Sequence, residues 1–153
     1  MNRRSSISFS PEEEARYLRE AKTAILCSID SQGYPHAVAM WFEVDPDGAV
    51  LMTTYGKSQK VLNFRRNPKV TLLVESGTSY DQLKGVMIRG RGEVVEDVER
   101  CAALLYRIHM KMGGESIPGL EEALKDRARK RVLLRVVPEH TSSWDHSKLG
   151  GVY

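Results

Sequence analysis

The segment Thr53-Thr54-Tyr55-Gly56-Lys57-Ser58-Gln59-Lys60 gathers hydroxyls, a glycine and two lysines into one short stretch. The apolar run from Ala49 to Met52 leads into it. The amphipathic piece Lys60 to Arg66 follows and stops before Pro68. That order reads as strand, polar turn and short helix. Between Gly48 and Val74 there is no Asp or Glu, but there are five cations: Lys57, Lys60, Arg65, Arg66 and Lys69. A strand-to-helix junction aims free backbone N–H groups and the positive end of the helix dipole at one point, so this composition suits a phosphate. The same charges also suit a solvated basic helix face, and local chemistry leaves the two readings open.

Other chemistry-bearing residues are less organised. His36, His109, His140 and His146 lack metal-ligand spacing, and neither Cys-x-x-Cys nor His-Glu-x-x-His occurs. No metal is expected. Asp145-His146-Ser147 has the residue types of a triad, but side chains adjacent in sequence do not face one another as a triad requires. Gly90-Arg91-Gly92 falls inside a strand pattern, not between strand and helix, so it is no dinucleotide loop. Met110-Lys111-Met112 reads as a helix end. Trp41 on an alternating strand suits core or interface better than a cofactor platform. Cys27 and Cys101 sit in apolar settings and read as small buried hydrophobes in a reducing compartment, although their spacing leaves a disulfide open.

The elements that must carry these residues are short strands joined by polar turns. Ser10-Pro11-Glu12-Glu13-Glu14 predicts a helix start, with Ser10 as N-cap and the acids on the positive helix end. Strands are predicted for Thr23 to Ile29, Pro35 to Val44, Ala49 to Thr54, Lys69 to Glu75, Lys84 to Glu96 and Val132 to Val137. The turns Asp30-Ser31-Gln32-Gly33 and Asp45-Pro46-Asp47-Gly48 make the first three an antiparallel meander. Gly90 and Gly92 share one strand face and permit a sharp bend or a close backbone approach. Helices are predicted from Val98 to about Met110, behind Asp97, and from Leu120 to Lys130. Residues 139–153 are predicted as an irregular tail. The expectation is a mainly β chain with peripheral helices: a six-stranded antiparallel barrel.

At 153 residues and 17.3 kDa, one domain spanning 1–153 is expected. A net charge of +3 is too small to imply nucleic acid. Met1-Asn2-Arg3-Arg4 has no apolar run behind it, and no segment approaches bilayer length. The expectation is a cytoplasmic protein with no membrane partner.

In order and spacing, these pieces resemble the pyridoxamine 5′-phosphate oxidase-like split-barrel superfamily, whose members bind FMN or the deazaflavin coenzyme F420. Ala24 to His36 is similar to the family's first hairpin, and Thr53 to Lys60 to its cofactor-phosphate segment. Asn63-Phe64-Arg65-Arg66-Asn67-Pro68-Lys69-Val70 resembles the run that follows, and Gly85 to Val94 a later barrel strand. True oxidases of the family commonly carry Ser-Arg-Lys where this chain has Ser58-Gln59-Lys60. The Lys60-x-x-Asn63 pattern resembles the deazaflavin-dependent branch instead. The resemblance implies an F420-dependent oxidoreductase acting on a small conjugated molecule. The alternatives are an FMN-dependent oxidoreductase and a flavin- or haem-binding protein without turnover. It further implies Lys57 and Lys60 on phosphate or tail charge, Ser58 and Thr53 as hydrogen-bonding groups, and Asn63 as a positioning residue. Met40, Trp41 and Phe42 would line the ring site. Arg65, Arg66, Arg3 or Arg4 would meet the acidic tail of F420. A homodimer sharing the cofactor is implied, with Trp144 to Tyr153 crossing to the partner or closing the site.

Overall fold

The computed structural model describes residues 3–151. Two short helices open the chain, α1 (Arg3–Ile7) and α2 (Pro11–Glu20). Strands β1 (Thr23–Ile29), β2 (Pro35–Trp41), β3 (Glu43–Val44) and β4 (Val50–Tyr55) follow, then helix α3 (Gln59–Arg66). Next come β5 (Lys69–Ser76), β6 (Lys84–Val95), α4 (Val98–Lys111), α5 (Leu120–Ala128) and β7 (Arg131–Asp145). Single 3-10 turns occupy Tyr80–Gln82 and His146–Leu149.

All seven strands form one antiparallel sheet in the order β2-β1-β5-β6-β7-β4-β3. The six-stranded expectation therefore needs correction. The predicted strand Pro35 to Val44 is two strands, and they lie at opposite ends of the sheet. Only Phe42 separates them. Because the two edges are consecutive chain, the sheet must curl back on itself, and Phe42 marks the seam. Its side chain is fully buried in the barrel interior. The meander stops there too: β4 pairs with β3 and β7, not with β2.

Alternation along each strand divides the apolar residues into two cores. Leu26, Val50, Met52, Leu72, Ile88, Leu134 and Val136 point into the barrel and meet Val61 and Phe64 of α3. Ala49, Leu51 and Leu133 point outward, where Cys101, Leu104, Leu105 and Ile108 of α4 and Leu124 of α5 cover them. The α4 helix also pins the seam. Lys111 Nζ donates to the Phe42 carbonyl at 3.1 Å and lies 4.4 Å from the centre of that ring. Arg107 donates to the Val44 carbonyl at 2.9 Å.

The two glycines singled out in β6 are needed for close approach. A Cβ on Gly90 would lie 2.3 Å from the Val137 carbonyl oxygen, where the β6–β7 register shifts. A Cβ on Gly92 would lie 2.5 Å from the Phe64 ring. The predicted N-cap is present as a full capping box. Ser10 Oγ accepts from Glu13 N at 3.2 Å, and Glu13 Oε2 accepts from Ser10 N at 2.7 Å.

The expected irregular tail is ordered. Strand β7 continues to Asp145 against β6, because Trp144 has a place over the bare backbone of Gly85. Lys148 then reaches back to Glu13 at 2.6 Å and to the Ser8 carbonyl at 2.8 Å. Asp145 accepts from the N–H and Oγ of Ser147, while His146 turns to the Tyr80 carbonyl at 2.9 Å. The Asp-His-Ser run is a structural corner. Tyr153 lies outside the described residues.

Candidate functional site

The outward alternation that places Leu51 under α4 also turns Thr53 outward, one step along β4. Thr53 is almost fully buried, and its Oγ1 accepts from Arg131 Nη1 at 3.2 Å. Arg131 opens β7 directly across from Tyr55, and its guanidinium lies 4.5 Å from the centre of that ring. A planar cation stacked on an aromatic face and bonded at one edge is held in one orientation.

The turn beyond Tyr55 is fixed by backbone bonds. Gly56 N donates to the Lys130 carbonyl at 3.1 Å and Ser58 N to the Tyr55 carbonyl at 3.0 Å. The N–H of Gly56 is therefore not aimed at an anion. Ser58 occupies the N-cap position of α3 but makes no side-chain cap bond, and its Oγ accepts from Thr54 Oγ1 at 3.2 Å. The first turn of α3 carries no acid and no side-chain cap, so its positive end is left for another partner. Lys57 is exposed and Lys60 half-buried. Burial holds the Lys60 ammonium below the usual lysine range, and the nearby Arg131 charge adds to this. A half-buried ammonium next to a second cation favours a bound anion.

Asn63 is fully buried and engaged at both ends of its amide. Its Oδ1 accepts from Gln59 Nε2 at 2.8 Å, and its Nδ2 donates to Ser28 Oγ at 3.0 Å. It ties α3 to β1 and so sets where Lys60 stands.

Two cavities meet at Arg131. One, of about 540 Å³, is bounded on the sheet side by Ala39, Met40, Trp41, Thr53 and Arg131, and on the helix side by α4 and α5. The other, of about 620 Å³, is lined by Tyr55, Lys57, Arg129 and Arg131 together with Glu96 and Asp97, of which Glu96 is paired with Arg65 and Asp97 caps α4. The structure thus brings Trp41 and Thr53 together on the first cavity and puts Lys57 on the second; Met40 borders the first cavity, but its side chain packs on the barrel core, on the opposite strand face from Trp41. Phe42, expected beside Met40 and Trp41, has its side chain in the barrel core. Trp41 is 60% exposed at the rim. Arg65 is occupied by Glu96 at 2.7 Å. Arg4 lies by Trp144 and His140, along a different cavity. The side chain of Arg3 lies outside the described residues.

Arg131, His109 and Arg127 line the first cavity and were not legible as site residues. Arg131 is 78 positions from Thr53, and only the β4–β7 register brings it there. His109 and Arg127 arrive through the packing of α4 and α5. An arginine beginning an apolar strand was the one available signal. Cys27 and Cys101 are free thiols, so the disulfide left open by spacing does not form.

Comparison with known proteins bears on this arrangement. The family pattern of pyridoxamine 5′-phosphate oxidase matches residues 10–145. A dehydrotetracycline/dehydrooxytetracycline reductase of Streptomyces rimosus is 28% identical over 108 residues, covering 64% of this chain and 76% of the reductase. A conserved hypothetical protein of Mycobacterium tuberculosis superposes with a TM-score of 0.91 at 35% identity, covering 100% of this chain and 95% of the other. A structure described as an F420 reductase superposes with a TM-score of 0.67 at 25% identity, over 87% of this chain and 98% of the other. Among the described residues, no helix is long and apolar enough to cross a membrane. The fold, the strand-to-helix turn and the pattern match agree: the chain belongs to the pyridoxamine 5′-phosphate oxidase family, an oxidoreductase-like split-barrel group with flavin- and deazaflavin-binding relatives.

Proposed function

We propose that this protein is an oxidoreductase that uses F420 to reduce a small conjugated organic molecule. The observation that carries this reading is the cation group Lys57, Lys60 and Arg131 at an uncapped helix start, where Arg131 also lines an open cavity walled by Trp41 and Thr53. Those residues fit the group. The cations and the helix N-terminus suit its phosphate, and the apolar wall suits a flat ring. When bound, F420 supplies a two-electron hydride and resists one-electron reaction with oxygen. The chain supplies the rest. Arg131 and Thr53 orient the anionic end, Lys60 neutralises it, and Asn63 holds α3 in place. Trp41, at the cavity rim, shelters one ring face. The reductase of S. rimosus and the F420 reductase fold support this reading.

FMN is the second reading, because the family pattern and a single terminal phosphate are equally compatible with this turn. Anaerobic titration of the cofactor-free protein with F420 and with FMN, read by ring fluorescence, separates them. Tighter binding of F420, followed by its oxidation with an acceptor, supports the first reading. Tighter binding of FMN overturns it. Binding without turnover leaves a carrier.

The active form proposed is a homodimer. The outward row Ile25–Leu73–Met87 crosses β1, β5 and β6 on a face that neither α4 nor α5 covers. Exposed Tyr34 and Trp41 stand on β2 or its turn. A C2 pairing would bury that row. Light scattering that shows only monomer at micromolar protein would overturn the dimer.

A further inference from the structure

The helix side of the cavity beside Thr53 has its own chemistry. Leu105, Ile108, Met112 and Leu124 make it apolar, and His109 and Arg127 are its polar groups. No acidic residue lines the cavity on either side. Arg127 differs from its neighbours on α5. Lys125 is paired with Glu99 at 2.5 Å, and Arg129 with Asp126 at 3.2 Å. Among the described residues, no hydrogen bond or ion pair engages the Arg127 side chain, although Glu121, Glu122 and Asp126 lie on the same helix. The wall is also held in shape. His109 Nε2 lies 3.0 Å from the Glu115 carbonyl, and its ring packs so closely on Gly114 that a Cβ there would lie 2.2 Å from Nε2. His109 is therefore tied to the α4–α5 loop, and Arg127 is the free charged group facing the space.

We propose that this helix wall is the substrate compartment and that Arg127 selects an organic acid with a flat, apolar body. This rests on the reading above, in which the sheet side holds the cofactor. Leu105, Ile108 and Met112 provide the surface for the body. Arg127 provides a planar double donor that fits a carboxylate and that a neutral ligand leaves unused. In the absence of any acid on the cavity, nothing competes with the ligand for that guanidinium.

The test uses 2-naphthoate and its uncharged counterpart 2-naphthylmethanol as probes. Each is titrated by calorimetry into the full-length protein and into Arg127→Gln, Arg127→Lys and the control Lys125→Gln. F420 and FMN affinities are measured separately for every variant. Arg127→Gln should bind naphthoate roughly tenfold to a hundredfold more weakly, the span expected for a charged hydrogen bond. Arg127→Lys should recover part of the loss. Naphthylmethanol and both cofactors should bind as before, and Lys125→Gln should match the parent protein. Unchanged naphthoate affinity in Arg127→Gln, an equal loss for the alcohol, or no naphthoate binding by the parent protein overturns the proposal. A loss confined to F420 would put Arg127 on that coenzyme's acidic tail and overturn it too. A protein that binds neither cofactor fails the reading of the sheet side, while the naphthoate titration still decides the role of Arg127.

Discussion

Arg131 and Thr53 are joined by one hydrogen bond of 3.2 Å between strands that are distant in sequence and adjacent in the sheet. The bond uses one of the hydroxyl's two acceptor sites. The hydroxyl's own hydrogen and the remaining guanidinium N–H groups stay available, so the pair presents mainly donors. An anion placed there meets charge and hydrogen bonds already oriented by the Tyr55 ring, and little side-chain freedom is lost on binding.

Arg131→Gln should therefore weaken binding of both FMN and F420. A hydrogen bond to a charged group contributes about 1.5–3 kcal/mol, which is roughly tenfold to a hundredfold in affinity. Thr53→Val keeps the shape and removes a hydroxyl but no charge, so its effect should be smaller. Fluorescence titration checks both. Equal affinities in the parent protein and Arg131→Gln would remove Arg131 from the site.

Lys60→Ala should weaken cofactor binding more than it slows turnover, because its partner is a phosphate that does not react. The loss should shrink as salt rises. Lys125→Ala, on the outer face of α5, is the control and should change little. Lys60 also permits a test on stability. Burial and Arg131 depress its folded pKa below 10.5, so the unfolded chain binds the extra proton. The cost is fully present while both states are charged, and it fades as pH rises through the folded value toward 10.5. Cofactor-free Lys60→Met should accordingly be more stable than the parent protein at neutral pH. That advantage should vanish in the alkaline range. Thermal melts across pH read it directly, and an advantage that grows with pH would contradict the assignment.

The sequence made the turn legible because its signals are local. An apolar run, hydroxyls and lysines at a junction, and a Pro stop all fall within residues 49–68. The N-cap at Ser10 and the close-approach glycines were readable for the same reason. The split at Phe42 was not. One apolar residue in an alternating run looks the same whether the strand continues or passes to the other edge of the sheet, and only closure of the barrel decides between them. The extension of β7 was hidden because Pro138 reads as the end of a strand. Here it sits beside the register shift in β6–β7, and pairing with β6 and the site for Trp144 over Gly85 carry the strand past it. Arg131, His109 and Arg127 depend on register and helix packing, neither of which a linear pattern encodes.

Gly92→Ala should couple stability to the site. The added Cβ would sit 2.5 Å from the Phe64 ring, which α3 places in the barrel core. Overpacking of this kind costs about 1–3 kcal/mol. Relief requires α3 to shift, and α3 carries Lys60. Urea unfolding should show the lower midpoint, and FMN and F420 should both bind more weakly. A lower midpoint with unchanged affinity would mean that Phe64 rearranges without moving the helix.

Cys101→Ala and Cys27→Ala should both fold and bind cofactor. Cys101 is fully buried between α4 and the sheet, and burial pushes its thiol up, away from the reactive thiolate. The Cys101 variant should lose some stability through the small cavity it leaves. Loss of turnover in a folded, cofactor-loaded variant of either cysteine would contradict this.

Asp145 should make the end of β7 acid-labile. Burial of its carboxyl opposes ionisation, but bonds from Ser147 and the Lys84 ammonium at 3.1 Å outweigh it and hold the group below its ordinary value of 3.8. A depressed carboxyl contributes stability above 3.8, and the contribution disappears as pH falls through the folded value. Asp145→Asn keeps an oxygen that can accept from Ser147 and removes the charge that Lys84 meets. It should cost about 1.5–3 kcal/mol at neutral pH, the range for hydrogen bonds to charged groups. Stability of the parent protein should then fall toward that of Asp145→Asn as the carboxyl is protonated. Hydrogen exchange of the β6–β7 amides between Lys84 and Met87 should accelerate in the variant at neutral pH and in the parent protein only in acid. Equal acid profiles for the two proteins would show that the Lys84–Asp145 pair does not hold the strand end.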